Sequence, residues 1–527
     1  MVEGVLVSRH ERSVNNQFIH LQMSNDAVTM RGTPLCRLGH QLQGTRGAQT
    51  EGVYAGWEWN GRRLRVFNDR FGFYPLYYFV RPGECAVSPS LPELLALSAP
   101  TDLDYDALAV FFHLGYFVGD DTPFQGIRAV PPSASFEWQD GTVTISSQLA
   151  FAKPQGLDRD QAIDAYIELF RQAIVRRLTY SEEFAILLSG GRDSRHILLE
   201  LVRSGARPKF CLTVDLSLQH EDAVVAAQLA KAVDVPHTIL PKRETSFGEE
   251  FEKNLKTSLC ADEHTWMLAA AQHLQGKVKT LYDGIGGDVL SAGLFLTQQR
   301  LDLSEAGRWA ELAEDIIGVQ PVPPFLHAGI RSKLNREVAV ARIVTELRRH
   351  ADAPNPFSSF IFWNRTRREI ALSPYGVLAD VGHVLSPFLD HAVYDLLAGL
   401  PARMFVDHSF HTTAINRAFP QYAHIPYGRK SAAVEGARTS SDHRVWRRFA
   451  IDILRHCILG KCSLLDKGYV GPRLLWSLCA PQYLPSVLWI GPPSVYVFQL
   501  ELMQAPRPTF MSWATRFYEQ NRLPISS

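Results

Sequence analysis

The segment Phe184-Ala-Ile-Leu-Leu-Ser-Gly-Gly-Arg-Asp-Ser-Arg-His196 constrains this chain more than any other. The apolar run Phe184 to Leu188 reads as a buried strand. Two glycines follow Ser189, and a helix opens from Arg195. Gly190 and Gly191 permit a tight turn and leave no Cβ between backbone and ligand. The amides freed there, with the positive end of the following helix, suit an anion. Ser189 and Ser194 add hydroxyl donors. Asp193 would repel bare phosphate, so it makes sense as a ligand for Mg²⁺ bridging phosphate oxygens. A Gly-Gly turn whose Ser or Asp caps the next helix is the plainer reading. The strand before the loop and the helix after it turn the reading to phosphate. The loop is not a Walker A sequence, which needs Lys-Ser/Thr after its last glycine.

What surrounds this loop extends the pattern. Strands are expected at Phe210–Val214, His237–Leu240 and Val278–Tyr282, with helices at Glu221–Val233 and His264–Leu274 between them. Such alternation implies a parallel sheet covered on both faces. The first ~150 residues read differently. Short strands at Val53–Trp59, Leu64–Asn68, Leu76–Val80 and Val143–Ser146 are broken by Asn60-Gly61, Pro82-Gly83 and Asp140-Gly141, with one helix at Tyr105–Leu114. The expected domains are 1–154, sheet-rich, and 155–527, a parallel α/β sheet with a mostly helical extension.

Composition excludes several classes. Lys+Arg and Asp+Glu balance at 54 each over 527 residues, so no nucleic-acid or anionic-membrane partner is expected. Seven scattered cysteines form no CxxC pair, which fits a reducing cytosol and no zinc ribbon. The first twenty residues hold early charges and no apolar run, so no secretory signal is expected. The uncharged stretch Leu474–Leu500 is interrupted by four prolines and reads as a buried or surface-lining segment, not a membrane span.

The motif SGGRDS resembles the pyrophosphate loop of the asparagine synthetase family, within the ATP-pyrophosphatase superfamily. His220-Glu221-Asp222, Tyr282-Asp-Gly-Ile-Gly-Gly-Asp288, Ser386-Pro-Phe-Leu-Asp390 and Gly428-Arg-Lys430 resemble later segments of that family, in order. Upstream, Asn68-Asp-Arg-Phe-Gly-Phe-Tyr-Pro-Leu-Tyr-Tyr78 and Phe124-Gln-Gly-Ile-Arg-Ala-Val-Pro-Pro132 resemble its N-terminal domain. The resemblance implies a degenerate Ntn-hydrolase-like domain ahead of an adenine-nucleotide α-hydrolase-like synthetase domain. It implies ATP and Mg²⁺, with Leu188, Ser189, Gly190, Gly191, Asp193, Ser194, Val214, Gly284 and Gly286 around the nucleotide. Asp193 and Asp288 would hold the metal, and Lys430 would stabilise developing charge, with Arg429 as the fallback.

The family pattern also breaks. Its glutaminase nucleophile is an N-terminal cysteine, whereas removal of Met1 here exposes Val2, and the first cysteine, Cys36, is internal. Glu51 stands where the family has an acid before a strand and is expected at the surface. Glutamine hydrolysis is therefore not expected, a departure shared with β-lactam and carbapenam synthetases and, in another form, lasso-peptide cyclases. Ile285 occupies a position that is glutamate in asparagine synthetases and tyrosine in β-lactam synthetases. His383 stands near a family glutamate and reads equally as a general base or as a packed core histidine. Asp262 and Glu263 read as helix caps.

The expected activity is an AMP- and pyrophosphate-forming amide or lactam synthetase, acting in the cytoplasm through an acyl-adenylate. It would join a small-molecule or peptide carboxylate to an amine, as a homodimer or in association with pathway enzymes. An ammonia-dependent asparagine synthetase and an inactive scaffold of the same fold are the alternatives.

Overall fold

The computed structural model describes residues 17–25, 27–42, 50–180, 183–215, 221–241, 245–319, 322–428, 440–460, 462–480, 482–483 and 487–505. Among the described residues, ten strands build the N-terminal domain: β1 (Ile19–Ser24), β2 (Ala27–Gly32), β3 (Leu35–Gln41), β4 (Gly52–Trp59), β5 (Arg63–Asn68), β6 (Tyr77–Arg81), β7 (Glu84–Ser88), β8 (Ile127–Ala129), β9 (Ser135–Gln139) and β10 (Thr142–Ser146). They form two antiparallel sheets, ordered β2-β1-β7-β6-β8 and β10-β9-β5-β4-β3. β3 alternates exposed and buried residues along its length, the two-residue period of a half-buried strand. Tyr78 of one sheet meets Phe136 of the other with ring centroids 5.0 Å apart, so the sheets face each other over a shared core.

After Ser146 the chain crosses to a capped helix, Arg159–Arg177, whose Asp158 and Gln161 form a capping box. A third sheet follows: β11 (Phe184–Leu187), β12 (Phe210–Asp215), β13 (His237–Pro241), β14 (Thr280–Tyr282) and β15 (His383–Leu385). Its order is β13-β12-β11-β14-β15, and every pairing is parallel. The chain leaves β11 toward β12 and later returns to its other side as β14. That reversal creates a crevice beyond the carboxyl ends of β11 and β14. The remainder is largely helical. The uncharged stretch 474–500 resolves into the end of helix Lys467–Cys479 and most of helix Gly491–Gln504. No helix among the described residues is long and apolar enough to cross a membrane.

The halves are joined by buried arginines. The π-helical segment Phe362–Ile370 supplies Arg367, which donates to the carbonyls of Gly72 and Val130. Its neighbour Arg368 donates to those of Gly119 and Asp121. Arg70 forms a two-pronged pair with Asp395, at 2.6 and 2.9 Å. Phe71 packs edge-on against Tyr394 at 4.9 Å. The Asn68–Tyr78 segment is thus a docking element. Asp69 shapes it by accepting the amides of Tyr54, Phe71 and Gly72, and burial pushes its carboxyl up to about 6.

Arg342 adds a further link, donating to Asp121 at 2.8 Å and pairing with the buried Glu346 at 3.3 Å. Burial pushes the Glu346 carboxyl up, but contacts with His350, Arg349 and Arg342 outweigh it and hold the group at about 2, below the ordinary 4.5. A lowered folded-state value means that the contribution is complete above pH 4.5 and is lost as pH falls toward 2. Glu346→Gln is therefore expected to cost about 3 kcal/mol at pH 7. Denaturant unfolding of the two proteins should show that gap narrowing as pH drops below 4.5.

Candidate functional site

Because β11 pairs with β14, Ile186 opposite Tyr282, the turns that leave these strands are neighbours. The first turn is Ser189-Gly190-Gly191-Arg192, and Asp193 is the first residue of helix Asp193–Arg203. The loop is shaped by its own hydroxyls. Ser189 donates its amide to Ser194 Oγ at 3.0 Å, and Gly191 donates its amide to Ser189 Oγ at 3.1 Å. Gly190 donates its amide to Asp222 Oδ1 at 2.9 Å, so the acidic start of helix Glu221–Ala232 fixes the loop from outside. His220 lies outside the described residues.

The second turn is Asp283-Gly284-Ile285-Gly286, followed by the short helix Gly287–Ser291. Asp283 Oδ1 accepts the Ile285 amide at 2.8 Å, and Gly286 has φ +87°, a region that favours glycine. The two turns touch. A Cβ at Gly287 would stand 2.5 Å from Asp193 Cγ, and one at Gly284 would stand 2.8 Å from Asp193 Cβ. These glycines are the cradle in which the Asp193 side chain lies.

Asp283 feels the charges of two further carboxylates, Asp193 and Asp288. Burial pushes Asp283 up to about 6. The Ile285 amide opposes that rise, while the charges of Asp193 and Asp288 add to it. Carboxylates that repel one another suit a divalent cation, and Asp193 and Asp288 could supply oxygen ligands to Mg²⁺.

Behind Asp193 lies a polar chain that local sequence patterns did not reveal. His411 Nδ1 is 3.3 Å from Asp193 Oδ1 and 2.9 Å from Ser291 Oγ. Its Nε2 is 3.1 Å from the Tyr166 hydroxyl and 3.2 Å from His196 Nδ1. Burial keeps His411 neutral, lowering it to about 3. His196 carried a local signal, since it stands three residues after Asp193 on the same helix face. His411 carried none, because it reads as one more residue of the helix Phe410–Ala418.

The remaining expected residues divide. Leu188 donates its amide to Leu212 at 2.8 Å, and its carbonyl accepts from Thr213 Oγ1 at 2.6 Å, so β12 engages its backbone. Val214 lies half-buried near the end of β12. Lys430 and Arg429 lie outside the described residues. Gly428, two residues before Lys430, donates its amide to the Gly190 carbonyl at 2.9 Å. Arg195 secures that approach by donating to the carbonyls of Ile425 and Pro426 and stacking on Tyr427 at 3.9 Å.

His383 is elsewhere. It opens β15 opposite Thr280, which in turn pairs with Phe184 at the amino end of the sheet. Ser189 is five residues further along, about 16 Å at ~3.3 Å per residue. His383 faces the N-terminal half, its ring 6.4 Å from that of His40, and cannot serve as a base at the loops.

Glu51 is not the surface residue expected. Its side chain is 14% exposed and lies 4.0 Å from Arg176. Arg176 and Arg177 both pair with Asp390 of the Pro-Phe-Leu-Asp segment, which is a buried structural anchor. Asp262 and Glu263 are not caps either, since the helix starts at Met267. Their carboxylates gather with that of buried Glu369 within 4.8 Å of one another, and Arg365 pairs with Glu369 at 3.3 Å.

Comparison with protein-family models adds two matches. A model described as asparagine synthase matches residues 165–368, and one described as a glutamine amidotransferase domain matches residues 38–149. A search of curated proteins finds no match. The first matched span contains both glycine turns.

Gly287→Ala should force Asp193 out of its cradle and cost about 1–3 kcal/mol by overpacking. Gly156, with nothing within 4 Å of an added Cβ, is the control. Gly156→Ala should stay within about 0.5 kcal/mol of the parent in the same urea titration.

Proposed function

Because the chain belongs to the asparagine synthetase family, with a glutaminase-like domain ahead of its synthetase domain, we propose that it activates a carboxylate with ATP and passes the acyl group to an amine without hydrolysing glutamine. The family supports an ATP-dependent, amide-forming ligase in general. The finer reading rests on one observation: two glycine turns on adjacent strands, with Asp193 seated on Gly284 and Gly287.

In this reading the positive end of helix Asp193–Arg203 receives the β- and γ-phosphates, on a loop whose Ser189, Gly190 and Gly191 amides are held by Ser194, Asp222 and Ser189. Mg²⁺, held by Asp193 and Asp288, would neutralise phosphate charge. The substrate carboxylate attacks the α-phosphorus, pyrophosphate departs, and an acyl-adenylate remains. An amine then attacks the acyl carbon and AMP leaves, giving an amide or a lactam. Pinning of residues 425–428 to the first loop supports a role for Lys430, two residues on, in stabilising charge at the reacting centre.

The absence of glutamine chemistry is supported by Cys36. It is 2% exposed and donates its thiol to Gln17 Oε1 at 2.6 Å. Burial pushes the thiol up to about 12, far from a reactive thiolate at neutral pH. Ile285, 5% exposed, supplies no group for proton transfer.

ATP–pyrophosphate exchange over a panel of carboxylic acids is the test. One or more acids should support exchange, and Asp193→Ala should reduce it about 100-fold or more. Cys36→Ala should leave exchange and product formation unchanged, and glutamine should not replace the amine. ATP binding with no pyrophosphate release for any acid would overturn the ligase reading in favour of a scaffold. Loss of activity in folded Cys36→Ala would overturn the reading of the N-terminal domain.

A further inference from the structure

We propose that Arg192 is the side chain that grips the leaving pyrophosphate, through the paired Nη atoms of its guanidinium, with Thr412 as the residue that positions it. This rests on the preceding reading that the first turn receives the β- and γ-phosphates.

The backbone of the first turn has little left to give. The amides of Ser189, Gly190 and Gly191 are taken by Ser194 Oγ, Asp222 Oδ1 and Ser189 Oγ. Two phosphate groups carry more charge than a helix end, equivalent to about half an elementary charge, can offset. The remainder falls to side chains and a metal ion. Arg192, directly after Gly191, is the cation of the turn itself. It stands at the N-cap of helix Asp193–Arg203, where no side chain caps the helix. A positive charge there opposes the helix dipole, and such a position ordinarily takes Asp, Asn or Ser. A cation is favoured at that point only when an anion joins it.

What holds Arg192 leaves its fork open. Nε donates to Thr412 Oγ1 at 2.7 Å, and the guanidinium carbon is 5.8 Å from the centroid of the Tyr427 ring. Both supports belong to segments that reach the turn. Thr412 follows His411, which lies 3.3 Å from Asp193, and Tyr427 precedes Gly428, whose amide donates to the Gly190 carbonyl at 2.9 Å. The half-buried Arg192 is thereby held beside the turn. Among the described residues neither of its Nη atoms makes a hydrogen bond, and no carboxylate pairs with it, although Asp193 is its neighbour in sequence.

Arg195, three residues on, is already committed. It donates to the carbonyls of Ile425 and Pro426 and stacks on Tyr427 at 3.9 Å. Burial lowers its guanidinium, Tyr427 opposes that, and the charge of Arg192 lowers it further. Two guanidinium groups that repel each other beside a helix N-terminus make a region of positive potential. A planar fork with two N–H donors matches two phosphate oxygens, which a point charge does not. When the P–O bond between the α- and β-phosphates breaks, its electron pair leaves with pyrophosphate. The contact therefore strengthens as the bond breaks, which favours the transition state over bound ATP.

The test is isothermal titration calorimetry of the full-length protein with magnesium pyrophosphate and, separately, with AMP, alongside thermal melts. Arg192→Gln loses the charge and the fork, and should weaken pyrophosphate about 10–100-fold. Arg192→Lys keeps the charge and loses the fork, and should fall between that variant and the parent. Thr412→Val keeps the shape and removes the hydroxyl on Nε, and should weaken pyrophosphate about threefold or more. AMP, which has no β- or γ-phosphate, should bind all three variants as it binds the parent. Parent-like pyrophosphate affinity in folded Arg192→Gln or in Arg192→Lys would overturn the grip, and in Thr412→Val it would overturn the positioning. Equal losses for pyrophosphate and AMP would make Arg192 a structural staple of the turn and overturn the grip too. Arg192→Lys and Thr412→Val decide the matter however Arg192→Gln folds. A parent protein that binds no pyrophosphate with Mg²⁺ present would overturn the phosphate reading of the turn as well.

Discussion

The pairing of β11 with β14 is the constraint on which the candidate site depends. It places Leu187 and Tyr282 at adjacent strand ends, so that two turns far apart in sequence share one crevice. The contact between the turns is closer than side chains would permit. Asp193 reaches the backbone of Gly284 and Gly287 because neither carries a Cβ. Glycine acts here through space as much as through φ, since of Gly284, Gly286 and Gly287 only Gly286 has a positive φ. A shift of this strand pair would separate Asp193 from its cradle and from Asp283, and the electrostatic cluster would dissolve.

That cluster explains an economy in the surrounding bonds. Each loop satisfies part of its own backbone: Ser189 and Ser194 bind each other's neighbourhood, Asp222 holds Gly190, and Asp283 holds Ile285. Little is left to be arranged when a ligand arrives, which lowers the ordering cost of binding. The same bonds mean that Asp222 and Asp283 act on the loops and not on a ligand. Asp193, in contrast, has a buried Oδ1 without a hydrogen-bond partner among the described residues.

Much of this was legible in the sequence, and the failures have physical causes. The strand–SGGRDS–helix segment carries its context within thirteen residues, so β11 and its helix were readable to within two residues. Helix Tyr105–Leu114 was readable end to end, between Asp104 as cap and Gly115 in the left-handed region. β15 was not readable, because three residues give no period and its pairing is purely tertiary. The two readings of His383 could not be separated for the same reason: its nearness in sequence to the Pro-Phe-Leu-Asp segment hid its place at the amino end of a strand. His411 belongs to Asp193 only through a fold that spans more than two hundred residues. The arginines of Phe362–Ile370 likewise resemble a solvated basic run until their carbonyl partners are known.

The N-terminal domain is bound closely to the rest of the chain. Its sheets remain paired and its core remains dense with Trp57, Trp138 and Phe79. Its contacts now serve the synthetase half. Gly72, Gly119, Asp121 and Val130 all accept from Arg367 or Arg368. Those arginines leave the π-helical segment that begins at Phe362, and the ring of Phe362 lies against Gly286 of the second turn. A chain of packing therefore runs from the Asn68–Tyr78 segment, through Phe71 and Phe362, to the backbone that cradles Asp193. Removing the N-terminal domain would take away every one of these acceptors and uncover the apolar surface that packs around Phe71. The site therefore leans on this domain through the Phe71–Phe362 contact.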